Sequence, residues 1–171
     1  MTASWTAPMT WSGALVTVAQ MNQHIRDNFE FLKDPPTSVV LLTGETNKTT
    51  TSTTFVDVDA AGDPDFSLVI TTAGGDVWVY FNGIVSNPTN VGFVYFDFTV
   101  DGVRHSGVAD GLTGAGMATG SANDRLSPGF KVLVTTLAAG AHTFALQWRV
   151  AAGTATLYTN TSAVPFGVRE G

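Results

Sequence analysis

The hydrophobic period of this chain changes once, at Asp34-Pro35-Pro36, and that change limits the folds open to it. Before the double proline, Val18, Met21, Ile25, Phe29 and Leu32 recur at spacings of three and four, the pattern of one helix face. After it, apolar residues alternate at period two to the end of the chain. Proline has no N–H to give a helix and pushes the residue before it into extended backbone, so a helix stops here. The sequence therefore predicts an extended arm and one N-terminal α-helix over 1–36, then a mainly β domain over 37–171.

The helix start is specified locally. Thr17 is placed as N-cap, Gln20 at N3 completes a capping box, and Val16 can staple onto Met21 at N4. Gln23, Arg26, Asp27 and Glu30 fall on other faces, and Lys33 suits the negative end of the helix dipole. A helix of about four turns is marginal alone in water, so its stripe is expected to be covered by its own domain, a second copy or another protein. Residues 1–16 show no period but carry Trp5, Pro8, Trp11 and Gly13, which reads as an arm whose two indoles want apolar pockets.

Strands are expected at Val39–Thr43, Phe55–Asp59, Asp65–Thr72, Asp76–Val85, Val91–Val100, Lys131–Thr136, His142–Val150, Thr154–Tyr158 and Val164–Arg169. A Thr-rich turn over Gly44–Thr54 and a long Gly-rich connection over Asp101–Gly129 separate some of them. Eight or nine short strands with turn residues between them suit a β-sandwich, most plausibly a jelly roll.

Two of these strands are apolar on both faces. Val77, Val79 and Phe81 oppose Trp78 and Tyr80, while Phe93 and Tyr95 oppose Val94, Phe96 and Phe98. A sandwich sheet buries one face in the core, so Trp78, Tyr80, Phe93 and Tyr95 are expected to meet another subunit or an elaborating loop. By contrast His142, Phe144, Leu146, Trp148 and Val150 alternate with Thr143, Ala145, Gln147 and Arg149, as in an ordinary half-buried strand. Charged residues make up only 13% of the chain against 44% hydrophobic, which also points to surface covered in an assembly. A homotrimer is the expected assembly.

The same composition argues against several functions. A net charge of -6 with lysine only at 33, 48 and 131 does not suit phosphate contacts to nucleic acid or attraction to anionic lipid. No apolar run approaches the ~18 residues of a membrane span, and Met-Thr-Ala-Ser-Trp lacks the basic and apolar parts of a signal peptide, so synthesis in the cytosol is expected. Without cysteine there is no thiol nucleophile or thiolate metal site.

Candidate chemistry is sparse. His24, His105 and His142 are scattered without metal-ligand spacing, and structural roles are expected for them. Asp57, Asp59, Asp63 and Asp65 resemble a calcium loop, but Leu68 stands where an EF-hand needs its bidentate Glu and Pro64 breaks the spacing. Gly114-Ala-Gly116-Met-Ala-Thr-Gly120 lacks the strand-to-helix context of a phosphate loop and reads as a loop. No Gly-x-Ser-x-Gly elbow is present, and the carboxylates fall in turns. No cofactor, metal or enzymatic activity is expected, and a structural or binding role is favoured over a glycan-acting enzyme.

Two segments resemble virion proteins of tailed bacteriophages. Trp11-x-Gly13, Val16-Thr17 and Met21-Asn22-x-His24-Ile25-Arg26-Asp27-Asn28 resemble an N-terminal segment that precedes variable β domains on phage structural proteins. Ala139-Gly-Ala-His142-Thr-Phe-Ala-Leu-Gln-Trp-Arg149-Val150, with Phe166-Gly-Val-Arg169-Glu170, is similar to the last strands of trimeric jelly-roll heads of the tumour-necrosis-factor or C1q type on phage fibres and decoration proteins. Together they touch about a third of the chain. The resemblance implies docking through Trp11, Gly13, Thr17, Met21, Asn22, Arg26, Asp27 and Asn28, to which the arm and stripe add Trp5, Ile25 and Phe29. It further implies a trimeric capsid decoration or cement protein held on other virion proteins, the major capsid protein first among them. The alternative is a tail-fibre or receptor-binding head that meets a host surface glycan or receptor through the loop at 102–120.

Overall fold

The computed structural model describes residues 17–58, 66–89, 92–117, 121 and 124–171. The arm residues Trp5, Trp11 and Gly13, the staple at Val16, and Asp59, Asp63 and Asp65 lie outside the described residues.

The helix begins as its cap predicts. The Thr17 hydroxyl accepts from the Gln20 amide at 3.2 Å, and the Gln20 side-chain oxygen accepts from the Thr17 amide at 2.9 Å. The expected uniform α-helix is corrected in its middle: α1 (Val18–Met21) and α2 (Asn28–Lys33) flank a π-helical turn over Asn22–Asp27. No Gly or Pro marks that turn in the sequence. At the far end the Asp34 amide closes on the Glu30 carbonyl at 2.9 Å, and the prolines lead straight into the first strand. No described helix is long and apolar enough to cross a membrane.

Thirteen strands follow among the described residues. They are β1 (Thr37–Leu42), β2 (Lys48–Thr50), β3 (Val56–Asp57), β4 (Ser67–Thr72), β5 (Gly75–Asn82), β6 (Val85–Ser86) and β7 (Gly92–Val100). Then come β8 (Val103–Arg104), β9 (Thr113–Met117), β10 (Gly129–Leu137), β11 (Gly140–Val150), β12 (Ala155–Leu157) and β13 (Val164–Glu170). The expected count of eight or nine is too low because β2 lies in the Thr-rich stretch, the expected strand at Asp76–Val85 divides into β5 and β6, and β8 and β9 lie in what reads as a Gly-rich connection.

The first sheet runs β1-β13-β5-β10. The second is built on β11 and β7, with β3 and β4 along the free side of β11 and β8 and β9 along the free side of β7. A small sheet, β2-β12-β6, closes one end. Every pairing is antiparallel, and the two main sheets face each other as a jelly-roll β-sandwich preceded by the helix.

Alternation decides what lies between the sheets. Val77, Val79 and Phe81 of β5 and Val164, Phe166 and Val168 of β13 meet Val94, Phe96 and Phe98 of β7 and Phe144, Leu146 and Trp148 of β11, all buried. Each such side chain contributes about 1.5–3 kcal/mol when taken out of water. Phe81 and Phe96 carry the contact across the sandwich, with ring centroids 4.8 Å apart and tilted by 33°.

Candidate functional site

Among the described residues, the outer faces of the two main sheets and the helix carry most of the exposed aromatic and apolar side chains.

On the outer face of the first sheet the register sets Val39, Gly167, Tyr80 and Lys131 in one row across four strands. The adjoining row is Thr37, Arg169, Trp78 and Leu133. Val39, Leu41 and Trp78 are exposed here, and Lys131 Nζ lies 4.6 Å from the centre of the Trp78 ring. The end of the helix overhangs this face. Phe31, Leu32, Trp78, Tyr80, Lys131 and Arg169 share the walls of one open cleft of about 570 Å³.

The helix contributes little to the core. Phe31, 6% exposed, is its buried anchor, and it sits one position, hence about 100°, from the stripe. The stripe itself is bare: Val18 is 77%, Phe29 67% and Leu32 65% exposed, and Met21 and Ile25 are exposed too. Arg26 pairs with the neighbouring Asp27 at 3.0 Å, an exposed contact that fixes little.

The outer face of the second sheet is organised by a hairpin loop folded back over it. Asp97, fully buried within β7, accepts from the Phe98 amide at 2.9 Å and from the Ser106 hydroxyl, with Arg104 Nε 3.5 Å away. Arg149 of β11 then clamps the next segment, donating from Nε to the Ala109 carbonyl and from a terminal nitrogen to Asp110, both at 3.0 Å. The same guanidinium lies 4.2 Å over the Tyr95 ring. Tyr95 and Phe93 run near-parallel, 12° apart with centroids 6.0 Å apart. They cover Gly114 and Gly116 of β9, where a Cβ would come within 3.0 Å of Tyr95 Cδ1 and 2.5 Å of Phe93 Cε1.

At one end of this sheet Asp101 and His142 form a clasp. His142 contacts Asp101 Oδ2 through Nδ1 at 2.7 Å and the Ala138 carbonyl through Nε2 at 2.9 Å, while the Thr143 amide donates to Asp101 Oδ1 at 2.8 Å. Two acceptors on one imidazole require both nitrogens to carry protons. The Asp101 carboxylate, then the Ala138 carbonyl, hold the His142 pKa above its ordinary 6.5. The Thr143 amide, then the His142 ring, hold Asp101 below 3.8.

No family model matches this chain, and no curated protein is similar to it. Among solved structures the chain is similar to the tumour necrosis factor Eiger from S. frugiperda, at 15% identity and a TM-score of 0.47, over 80% of this chain and 94% of that one. The jelly-roll assignment rests on the strand order given above.

The structure separates the residues singled out in the sequence into distinct places. Thr17, Met21, Asn22, Ile25, Arg26, Asp27, Asn28 and Phe29 lie together on the helical segment. Trp78 and Tyr80 lie on the outer face of the first sheet, whereas Phe93 and Tyr95 lie on that of the second, so no single contiguous patch holds all four. His24 is half-buried, and its Nδ1 has no hydrogen-bond partner among the described residues. His105 stacks on Phe98 at 4.7 Å. Asp57 is exposed and accepts from Gln147 at 3.0 Å. Among the described residues no group of three or more His, Cys, Asp or Glu could hold a metal ion.

Carboxylates are not confined to turns, which corrects the sequence reading. Asp97 is buried in β7, and Glu170 in β13 accepts the Ala73 amide at 2.9 and 3.1 Å. An acidic residue between two phenylalanines, Phe96-Asp97-Phe98, was the available signal for the first.

Proposed function

We propose that this chain is a structural virion protein, a homotrimeric capsid decoration or cement protein that docks by its N-terminal arm and helix and displays the jelly-roll head. The observation that carries this reading is the bare stripe from Val18 to Leu32, on a helix that buries Phe31 beside the first sheet instead. A head that leaves five large apolar side chains of one helix in water has that face available for another surface. Each side chain, if fully covered, contributes about 1.5–3 kcal/mol, enough in sum for stable attachment once three copies act together.

Subunit contacts are assigned in this reading to the outer face of the first sheet. It is apolar, with Val39, Leu41 and Trp78 exposed and the Tyr80 ring laid over Gly167 at its centre. The opposite sheet, with Phe93, then points away from the three-fold axis. A second reading, a tail-fibre head that meets the host surface, draws on that exposed aromatic ring.

The test is co-sedimentation of the full chain with expanded capsids that lack it. Replacing Met21, Ile25 and Phe29 together by serine should leave the head folded and abolish binding. Undiminished binding by that variant would remove the helix from the docking role.

A further inference from the structure

The geometry points to a pyranose-binding cleft on the outer face of the second sheet, formed by Phe93, Tyr95, Asp110, Thr113 and the glycines of β9. This goes beyond the proposed virion role and holds wherever on a particle the head sits.

The cleft measures about 290 Å³, a space suited to one sugar ring, and among the described residues its walls come from 93–95 and 110–116. Its floor is aromatic. Phe93, 43% exposed beside Gly116, supplies the open ring, while Tyr95, inclined to it by 12°, carries the Arg149 guanidinium 4.2 Å over its own ring. Glycine at 114 and 116 is what lets both rings settle toward β9, since any Cβ there would meet ring carbons. A bare aromatic surface fits the C–H face of a pyranose, whose polarised C–H bonds meet the negative face of the ring.

The rim is polar and fixed. Asp110 is held through Oδ1 by Arg149, which is itself pinned to the Ala109 carbonyl and mostly buried, while the Asp110 side chain is 73% exposed. Among the described residues Asp110 Oδ2 takes no hydrogen bond, so it stands free to accept from a hydroxyl. A turn at Gly111, with φ of +68°, brings Asp110 and Thr113 to the same side of the rings. Apolar floor, fixed acceptor and neighbouring hydroxyl match the two faces of a sugar better than they match a protein side chain. One carboxylate lines the cleft, so it suits binding; glycoside hydrolysis uses two flanking the bond.

The experiment is saturation-transfer NMR on the full chain with a panel of methyl glycosides of glucose, galactose, rhamnose, N-acetylglucosamine and N-acetylgalactosamine at millimolar concentration. At least one should receive saturation, strongest on the ring C–H protons of one face. Phe93→Leu keeps the packing on Gly116 but removes the π face, and should lose the transfer with no change in melting temperature. Asp110→Asn should weaken binding roughly tenfold, the loss of one charge-assisted hydrogen bond. No transfer to any glycoside, or transfer retained by Phe93→Leu, overturns the inference. Neither result touches particle binding through the helix, which is read by co-sedimentation, so the two proposals fail separately.

Discussion

The Tyr80 ring lies across Gly167 of the neighbouring strand, so closely that any side chain at 167 would overlap the phenol. Gly167 stands between Val164, Phe166 and Val168, in a strand otherwise built to pack, and a glycine there weakens the strand. What it allows is a large ring laid down on the outer face beside Trp78, with Lys131 opposite Tyr80 on the far strand.

Gly167→Val should therefore act through Tyr80. Overpacking costs about 1–3 kcal/mol, toward the low end where a half-buried ring can swing away, and the displaced ring should also disturb any subunit contact on this face. Urea denaturation of Gly167→Val, Tyr80→Ala and the double variant checks it. The double variant is expected to be more stable than the sum of the single changes allows, because the clash is gone. Light scattering on the same samples reports the assembly.

Removal of the Asp97 carboxylate should loosen a different part of the head. Asp97→Ala strips the Ser106 hydroxyl, the Phe98 amide and the Arg104 guanidinium of their shared acceptor in a buried place. The expected cost is about 1.5–3 kcal/mol, read by chemical denaturation. Hydrogen exchange should quicken at Ser106 and Val108, whose amides lie in the folded-back loop, and change little in β13.

The features that could be read from the sequence are those whose causes are local. The Thr17–Gln20 capping box spans four residues, and the alternation in β5, β7 and β11 comes from one buried face per strand. β9 was illegible for the opposite reason. In Thr113-Gly-Ala-Gly-Met117 the outward positions are glycine because Phe93 and Tyr95, some twenty residues earlier, occupy their space. The Phe96-Asp97-Phe98 run marks Asp97 as unusual but not which groups it binds, since Arg104 and Ser106 reach it only once β7 and β8 have paired. The cleft depends on the same non-local facts: its rings were visible as two-faced strand residues, but the Asp110 rim is placed by Arg149 from β11.

Phe31 and Phe29 provide a contrast within one helix turn. Phe31 is buried and lines a cleft with Trp78 and Tyr80 of the first sheet, whereas Phe29 is 67% exposed. Phe29→Ser should leave the melting temperature of the head within measurement error while weakening attachment to a particle. Phe31→Ser should release the helix from the sheet, seen as faster limited proteolysis within residues 18–33. Equal effects of the two changes on proteolysis would contradict the anchoring role given to Phe31.

The clasp between Asp101 and His142 gives the head a pH dependence whose sign can be worked out. The His142 pKa is raised in the folded chain, so its contribution is fully present below the ordinary value of 6.5 and is lost as pH rises through the folded value. The Asp101 pKa is lowered, so its contribution is present above 3.8 and is lost as pH falls through the folded value. Between those limits both groups are charged and both His142 nitrogens have acceptors. Above them the neutral ring keeps one proton, and either the Asp101 carboxylate or the Ala138 carbonyl loses its donor. The melting temperature should thus fall on going from pH 5.5 to pH 9, and His142→Gln should flatten that slope while lowering stability at the acid end. Proton NMR titration of His142 checks the cause: a midpoint at or below that of a free imidazole would detach the slope from this pair.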